Sequence, residues 1–127
     1  MSEKDTRPVN LDITTMHLPI NGVVSILHRI SGVAIFFVFL SFVWILDRSL
    51  TSESSFHDLV LLLGKPSFKT FIILALSGFI YHLLAGIKHL LADIFGIGET
   101  LKSAELLSWI TLLLFLFSVL FSVLLIW

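Results

Sequence analysis

The sequence predicts an all-α integral membrane protein that crosses the bilayer three times. Of its 127 residues, 57% are hydrophobic and 13% are charged, whereas a soluble domain is about half apolar and about a quarter charged. The mean hydropathy is +1.03. Three long stretches of the chain carry no charged residue, and a spanning helix needs roughly 20 mostly apolar residues.

The uncharged stretches are 17, 18 and 22 residues long and cover 30–46, 70–87 and 106–127. Together with their apolar flanks they predict three spans in one transmembrane domain, 21–127, at about 21–46, 69–92 and 106–127. A polar tail, 1–20, precedes this domain. The loop between the first two spans contains an apolar run, 59–63, that is too short to span and is predicted as a turn of interfacial helix.

Charge and cysteine content narrow the possible functions. The net charge of −1 argues against a nucleic-acid partner. The chain has no cysteine, so it cannot supply disulfides, iron–sulfur ligands or thiolate metal ligands. Any metal bound here must therefore use histidine or carboxylate ligands.

The distribution of Lys and Arg predicts the orientation. With three spans, the tail and the second loop share one side. That side, including the adjacent span ends, holds five basic residues, against three on the other side. Basic residues are in excess on the cytoplasmic side of membrane proteins. We therefore expect a cytoplasmic N-terminus and a periplasmic C-terminus.

Ionisable residues inside spans are costly and mark functional sites by default, and here they cluster. Ser25 and Arg29, at the start of span one, are one helical turn apart and share a face. His82, Gly86, His89 and Asp93 form a single stripe along span two, because their spacing is 4, 3 and 4 residues. Spans one and two run in opposite directions, so these two groups are predicted to lie at the same membrane face.

The stripe on span two suggests a haem. A neutral imidazole at His82 could bind the iron, and Gly86 would let a flat macrocycle approach the helix. The anionic propionates would be met by His89, Arg29 or Lys88 near the interface. The alternative is that His82 only bonds a carbonyl or a serine of a neighbouring helix. His28, about 100° around the helix from Arg29, could equally be a structural or subunit-contact residue.

Ser25 and Arg29 suggest a quinone site, since a hydroxyl and a cation could bind a quinone carbonyl and its developing negative charge. The alternative is that Arg29 extends to lipid phosphate and Ser25 only packs.

Other polar and aromatic residues receive structural interpretations. The serines and threonines of span three are predicted to bond back to their own helix. Tyr81 and the tryptophans are interpreted as residues near span ends or facing lipid. His17 and His57 are interpreted as solvated.

Two motifs resemble those of the cytochrome b membrane-anchor subunits of succinate dehydrogenase, respiratory complex II. The first is the tail sequence from Arg7 to Ile13 followed by the run from Ser25 to Gly32. The second is His-x3-Gly-Ile-x-His-x3-Asp, from His82 to Asp93. The resemblance extends from about residue 7 to the end of the chain. The sequence departs from the family pattern at three positions around the second motif. Lys88 stands in place of the usual Arg, Ala92 in place of an aromatic residue or Met, and Phe95 in place of a small residue.

This resemblance implies a haem b with His82 as one axial ligand and a histidine of a second anchor subunit as the other. It also implies that Ser25 and Arg29 contact ubiquinone, and that His28, Arg29 and His89 lie around the haem propionates. The implied partners are that second anchor, a flavoprotein with FAD and an iron–sulfur subunit, in a bacterial inner membrane. The chain alone would hold no complete active site.

Two rival functions remain open. The same fold could anchor a fumarate reductase or another quinone-linked dehydrogenase. It could also be a purely structural anchor that binds neither haem nor quinone.

Overall fold

The structure, a computed structural model, describes residues 18–127. Within them 90% of the residues are helical and no strand is present, as the fold class predicts. The four helices are α1 (Ile20–Thr51), α2 (Glu53–Leu63), α3 (Pro66–Phe95) and α4 (Leu101–Ile126). Most of the predicted tail, including His17, lies outside the described residues.

Three of the helices, α1, α3 and α4, are long and apolar enough to cross a membrane. Each helix is longer than its predicted span: α1 and α3 extend beyond both predicted limits, and α4 begins five residues earlier than predicted. At 1.5 Å per residue the 32 residues of α1 measure about 48 Å, which exceeds the roughly 30 Å of hydrocarbon. The backbone hydrogen bonds therefore continue past the charged residues that were used to mark the span ends.

Local sequence explains where the helices begin and end. Ser52 is extended and caps α2 by accepting a hydrogen bond from the backbone N–H of Ser55 at 3.1 Å. Pro66 occupies the first turn of α3, where its missing N–H costs nothing. Gly96 ends α3 with a φ of 65°, the left-handed conformation that glycine adopts most easily. The apolar run predicted as one turn is the second half of α2, a helix of 11 residues.

The helices pack as two antiparallel pairs that share α3. α3 packs against both α1 and α4, and α2 folds back against α1. Early residues of α1 meet late residues of α3, and α3 meets α4 in the same reversed order. The start of α1 and the end of α3 therefore lie at the same face, as predicted.

Tyr81 lies at the centre of the packing, so its interpretation as a span-end or lipid-facing residue was wrong. It is buried with Val24 and Ala85, and Leu112 and Phe115 pack around them. Its hydroxyl donates to the carbonyl oxygen of Val24 at 2.9 Å, and its ring meets that of Phe115 edge to face. A phenol is accepted at this depth because the partner helix supplies its acceptor. The tryptophans Trp44, Trp109 and Trp127 are exposed on the chain's outer surface.

Candidate functional site

The imidazole of His82 is held against α1 through one of its nitrogens. Its Nδ1 lies 3.1 Å from the carbonyl oxygen of His28 and 3.1 Å from the hydroxyl oxygen of Ser31. A carbonyl can only accept, so the bond to His28 requires the proton on Nδ1. In the neutral ring Nε2 then keeps its lone pair. Metal-binding histidines have this arrangement, in which the second nitrogen donates to a carbonyl or similar acceptor.

Gly32 provides the room for this ring. An ideal Cβ placed on Gly32 would lie 3.0 Å from Cε1 of His82, which is tighter than almost all such contacts in proteins. Any larger residue would have to push the imidazole away from α1. Gly32 thus allows the ring of His82 to pack closely against α1.

His28 lies between His82 and His89. Its ring is stacked on that of His82, with centroids 4.2 Å apart, and is 5.3 Å from that of His89. Its Nε2 is buried and has no hydrogen-bond partner among the described residues. This nitrogen lies beside Gly86, where an ideal Cβ would be 3.5 Å away. The space next to Gly86, expected to receive a flat macrocycle, is therefore occupied by an imidazole of the same chain.

These observations test whether the residues suit a haem. His82 offers a nitrogen whose ring is oriented by a carbonyl, and Nε2 of His28 needs a polar partner from outside the described chain. No group of three His, Asp or Glu residues within 18–127 could hold a metal ion by itself. The donor set suits an iron whose remaining ligands come from a macrocycle and another subunit, and it does not suit a bare ion.

A cavity of 370 Å³ lies at the same end of the bundle, between the start of α1, the end of α3 and the start of α4. Its polar lining consists of Asn21, Ser25, Lys88 and His89. Arg29 is not part of the lining and is exposed on the outer surface. The structure therefore brings Ser25 together with Lys88 and His89 in the cavity lining. Arg29, one turn further along α1, lies outside this lining. Asp93 is exposed at the end of the stripe.

Lys88 is held at the cavity by α4. Its ammonium donates to the hydroxyl of Ser108 at 2.8 Å, and that hydroxyl donates to the carbonyl oxygen of Ala104 at 2.7 Å. Ser108 is completely buried. The predicted bonds of α4 hydroxyls to their own helix are confirmed at Ser108, Thr111, Ser118 and Ser122. The bond from Lys88 to Ser108 was not predicted. A serine hydroxyl that donates to its own helix can still accept a bond from another helix, and the sequence does not show which side chain lies beside it.

Ser31 is the other site residue that sequence reasoning did not single out. It lies in the first motif, three residues after His28, and its hydroxyl donates to the carbonyl oxygen of His28 at 2.8 Å. The available signal was its position on α1: residues 28, 31 and 32 fall on one helical face. That this face meets an imidazole depends on the depth of His82 on α3, which the structure shows.

The fold and this histidine site define a multi-pass membrane subunit with a polar centre at one face. A family model described as succinate dehydrogenase/fumarate reductase transmembrane subunit matches residues 3–124. The chain belongs to this family, as a cytochrome b membrane subunit.

Curated relatives agree with this assignment. The succinate dehydrogenase cytochrome b556 subunit of Coxiella burnetii is 42% identical over 89 residues, covering 69% of this chain and 71% of the relative. That of Rickettsia bellii is 33% identical over 121 residues, covering 94% and 90%. The succinate dehydrogenase cytochrome b560 subunit of Porphyra purpurea is 36% identical over 89 residues, covering 68% and 71%. The expected relationship to succinate dehydrogenase anchors is confirmed.

The Lys88–Ser108 contact predicts a specific cost in stability. Ser108→Ala removes the acceptor of a half-buried ammonium and should destabilise the protein by roughly 1–2 kcal/mol. Ser122→Ala is the matched control, because that buried hydroxyl bonds only the carbonyl of Ser118 and should cost less. Thermal denaturation in detergent measures both. In a Lys88→Met background the extra cost of Ser108→Ala should vanish, and an unchanged cost there would contradict the contact.

Proposed function

We propose that this chain is the haem-binding and quinone-binding anchor of a succinate dehydrogenase complex. The observation that carries the proposal is the hydrogen bonding of His82 through Nδ1, which leaves the lone pair of Nε2 available to a metal. The names of the relatives support it, since each is a cytochrome b subunit of succinate dehydrogenase. When bound, haem b supplies a one-electron carrier.

His82 would hold the haem iron through Nε2, and a histidine of the second anchor would be the other protein ligand. His28 cannot take that place, because its ring is stacked on the ring of His82 and does not face it across an iron. The buried Nε2 of His28 would bind the propionates. His89, whose ring lies 5.3 Å from that of His28, and Arg29, the next residue along α1, would bind them as well. Two neutral imidazoles on the iron give a low-spin state.

Ser25 and Arg29 bind the quinone, which the resemblance identifies as ubiquinone. The hydroxyl of Ser25, in the cavity wall, donates to a quinone carbonyl. Arg29, exposed beyond that wall, stabilises the negative charge that develops on the ring oxygens. Since Arg29 faces away from the rest of the chain, another subunit would complete this site. Arg29 is exposed, so a docking subunit can reach it.

The partners are a flavoprotein subunit with FAD, an iron–sulfur subunit and a second membrane anchor. The complex lies in a bacterial inner membrane, with the N-terminus cytoplasmic and the C-terminus periplasmic. The iron–sulfur subunit docks at the cytoplasmic face, near the tail and the loop between α3 and α4. Succinate oxidation in the flavoprotein then delivers electrons towards quinone at this face.

A fumarate reductase anchor is the second candidate, since the family description covers both enzymes. The curated relatives favour succinate dehydrogenase by name. A purely structural anchor without haem is disfavoured by the orientation of His82 and by the buried Nε2 of His28, which has no partner within 18–127. A reduced-minus-oxidised spectrum of the purified complex separates the haem-binding anchors from the structural one.

The haem assignment predicts that His82→Ala loses or shifts the low-spin haem spectrum of the complex, because one axial nitrogen is removed. His57→Ala is the control, since this exposed histidine lies on α2. Visible and electron paramagnetic resonance spectra of equal amounts of assembled complex provide the measurement. An unchanged low-spin spectrum in His82→Ala would refute the assignment.

The quinone assignment predicts that Ser25→Ala and Arg29→Leu each slow succinate-to-quinone electron transfer. Removing one donor aimed at developing charge costs on the order of 3 kcal/mol, or ~10²-fold in rate. Electron transfer from succinate to a soluble artificial acceptor should survive, because that acceptor takes electrons from the flavin. If an assembled Ser25→Ala complex reduces quinone at the wild-type rate, Ser25 is a packing residue and the quinone binds elsewhere.

The orientation predicts which positions are accessible from each side. Single cysteines introduced at position 3 and at position 54 should react with a membrane-impermeant reagent from opposite sides, the first in inverted vesicles and the second in intact spheroplasts. Labelling of both from one side would rule out the three-span arrangement. Labelling of position 3 from the outside alone would reverse the proposed orientation.

A further inference from the structure

Ser31 makes a contact that distinguishes it from other serines of α1. Its side chain is buried, and its hydroxyl oxygen lies 2.8 Å from the carbonyl oxygen of His28 and 3.1 Å from Nδ1 of His82. Ser41, ten residues further along the same helix, bonds only the carbonyl of Phe37, at 3.3 Å. Ser31 therefore joins two helices, whereas Ser41 bonds within its own helix.

The proton positions around Nδ1 follow from counting donors at the carbonyl of His28. In a continuous α-helix this oxygen already accepts the backbone N–H of Gly32, four residues on. The hydroxyl of Ser31 is a second donor to it, and a carbonyl oxygen has two lone pairs. The proton on Nδ1 of His82 is then best accepted by the hydroxyl oxygen of Ser31, which has lone pairs to spare. The carbonyl remains a weaker, shared acceptor.

We propose that Ser31 is the positioning residue for His82. Its hydroxyl accepts the proton of Nδ1 and donates its own to the carbonyl of His28, which fixes the tautomer and the rotation of the ring. This inference rests on the proposed function, in which Nε2 of His82 binds haem iron. By accepting from Nδ1, Ser31 makes Nε2 a stronger electron donor, as outer-shell partners of metal-bound histidines do.

Gly32 completes the same device one residue further along α1. Its missing side chain lets the imidazole lie against the helix, because a Cβ there would come within 3.0 Å of Cε1. Ser31 thus holds the ring by a hydrogen bond, and Gly32 sets its plane by contact. The two residues together define the direction in which Nε2 points.

The test measures the haem rather than quinone reduction. In the assembled complex, Ser31→Ala should weaken haem retention on the order of tenfold or more. It should also raise the haem midpoint potential, because a less electron-rich imidazole stabilises ferric iron less. A tenfold loss of preference for ferric over ferrous haem corresponds to about 59 mV for one electron.

Two further variants complete this experiment. Ser31→Thr keeps a hydroxyl that can bond the preceding turn and should bring the potential back towards the wild-type value. Ser41→Ala should leave both readouts unchanged. A purely structural role for Ser31 would lower stability without moving the potential, so an unchanged potential in Ser31→Ala overturns the inference.

Gly32→Ala tests the same device without changing any hydrogen-bonding group. It should alter the low-spin electron paramagnetic resonance signal, which reports the orientation of the axial imidazoles, because the new methyl group displaces the ring. Gly78→Ala on α3 is the matched control, since an ideal Cβ there meets nothing within 4 Å. Identical signals in Gly32→Ala and wild type would contradict the positioning role of this segment.

His82→Ala separates the ligand from its positioning residue. If His82→Ala loses the low-spin signal while Ser31→Ala leaves the potential unchanged, the haem ligand stands and the positioning role fails. If His82→Ala retains the low-spin signal, the proposed ligand is wrong and the role of Ser31 fails with it.

Discussion

The rest of the structure depends on hydrogen bonds from two adjacent residues of α3 to the start of α1. Tyr81 donates to the carbonyl of Val24. Nδ1 of His82 lies 3.1 Å from the carbonyl oxygen of His28 and 3.1 Å from the hydroxyl oxygen of Ser31. Within a bilayer polar groups must find partners in the protein, so these bonds fix both the depth and the rotation of α3. Lys88, about two turns on, is then aimed at α4 and reaches Ser108.

The sequence was sufficient to predict the number, order and direction of the spans. Uncharged length alone identifies a spanning helix, and consecutive spans must cross the bilayer in opposite directions. Because the first two spans are antiparallel, the first motif lies at the same membrane face as the second. The helices themselves extend beyond the predicted span limits, and α1 continues past Asp47 and Arg48 to Thr51. Helical hydrogen bonds do not end where hydrocarbon ends.

The rotation of each helix could not be deduced from the sequence. All three spans are apolar around most of their circumference, so no polar face identifies the side that packs within the chain. Tyr81 was consequently assigned to the outer surface, although Val24 and Phe115 bury it. The same ambiguity hid the bond between Lys88 and Ser108 and the placement of His28 beside Gly86. Each is a contact between helices, and spacing within one helix carries no information about it.

The start of α1 divides its polar groups among three directions, and this division leaves some of them available for contacts outside the chain. Ser31 and the carbonyl of His28 face α3, Ser25 faces the cavity, and Arg29 faces outward. The first two sets find partners or a cavity within the chain, whereas Arg29 is exposed and is available to lipid phosphate or to another subunit. The buried Nε2 of His28 has no hydrogen-bond partner among residues 18–127. Because both groups lie at one end of α1, the proposed haem and the proposed partner subunits would meet them at the same face.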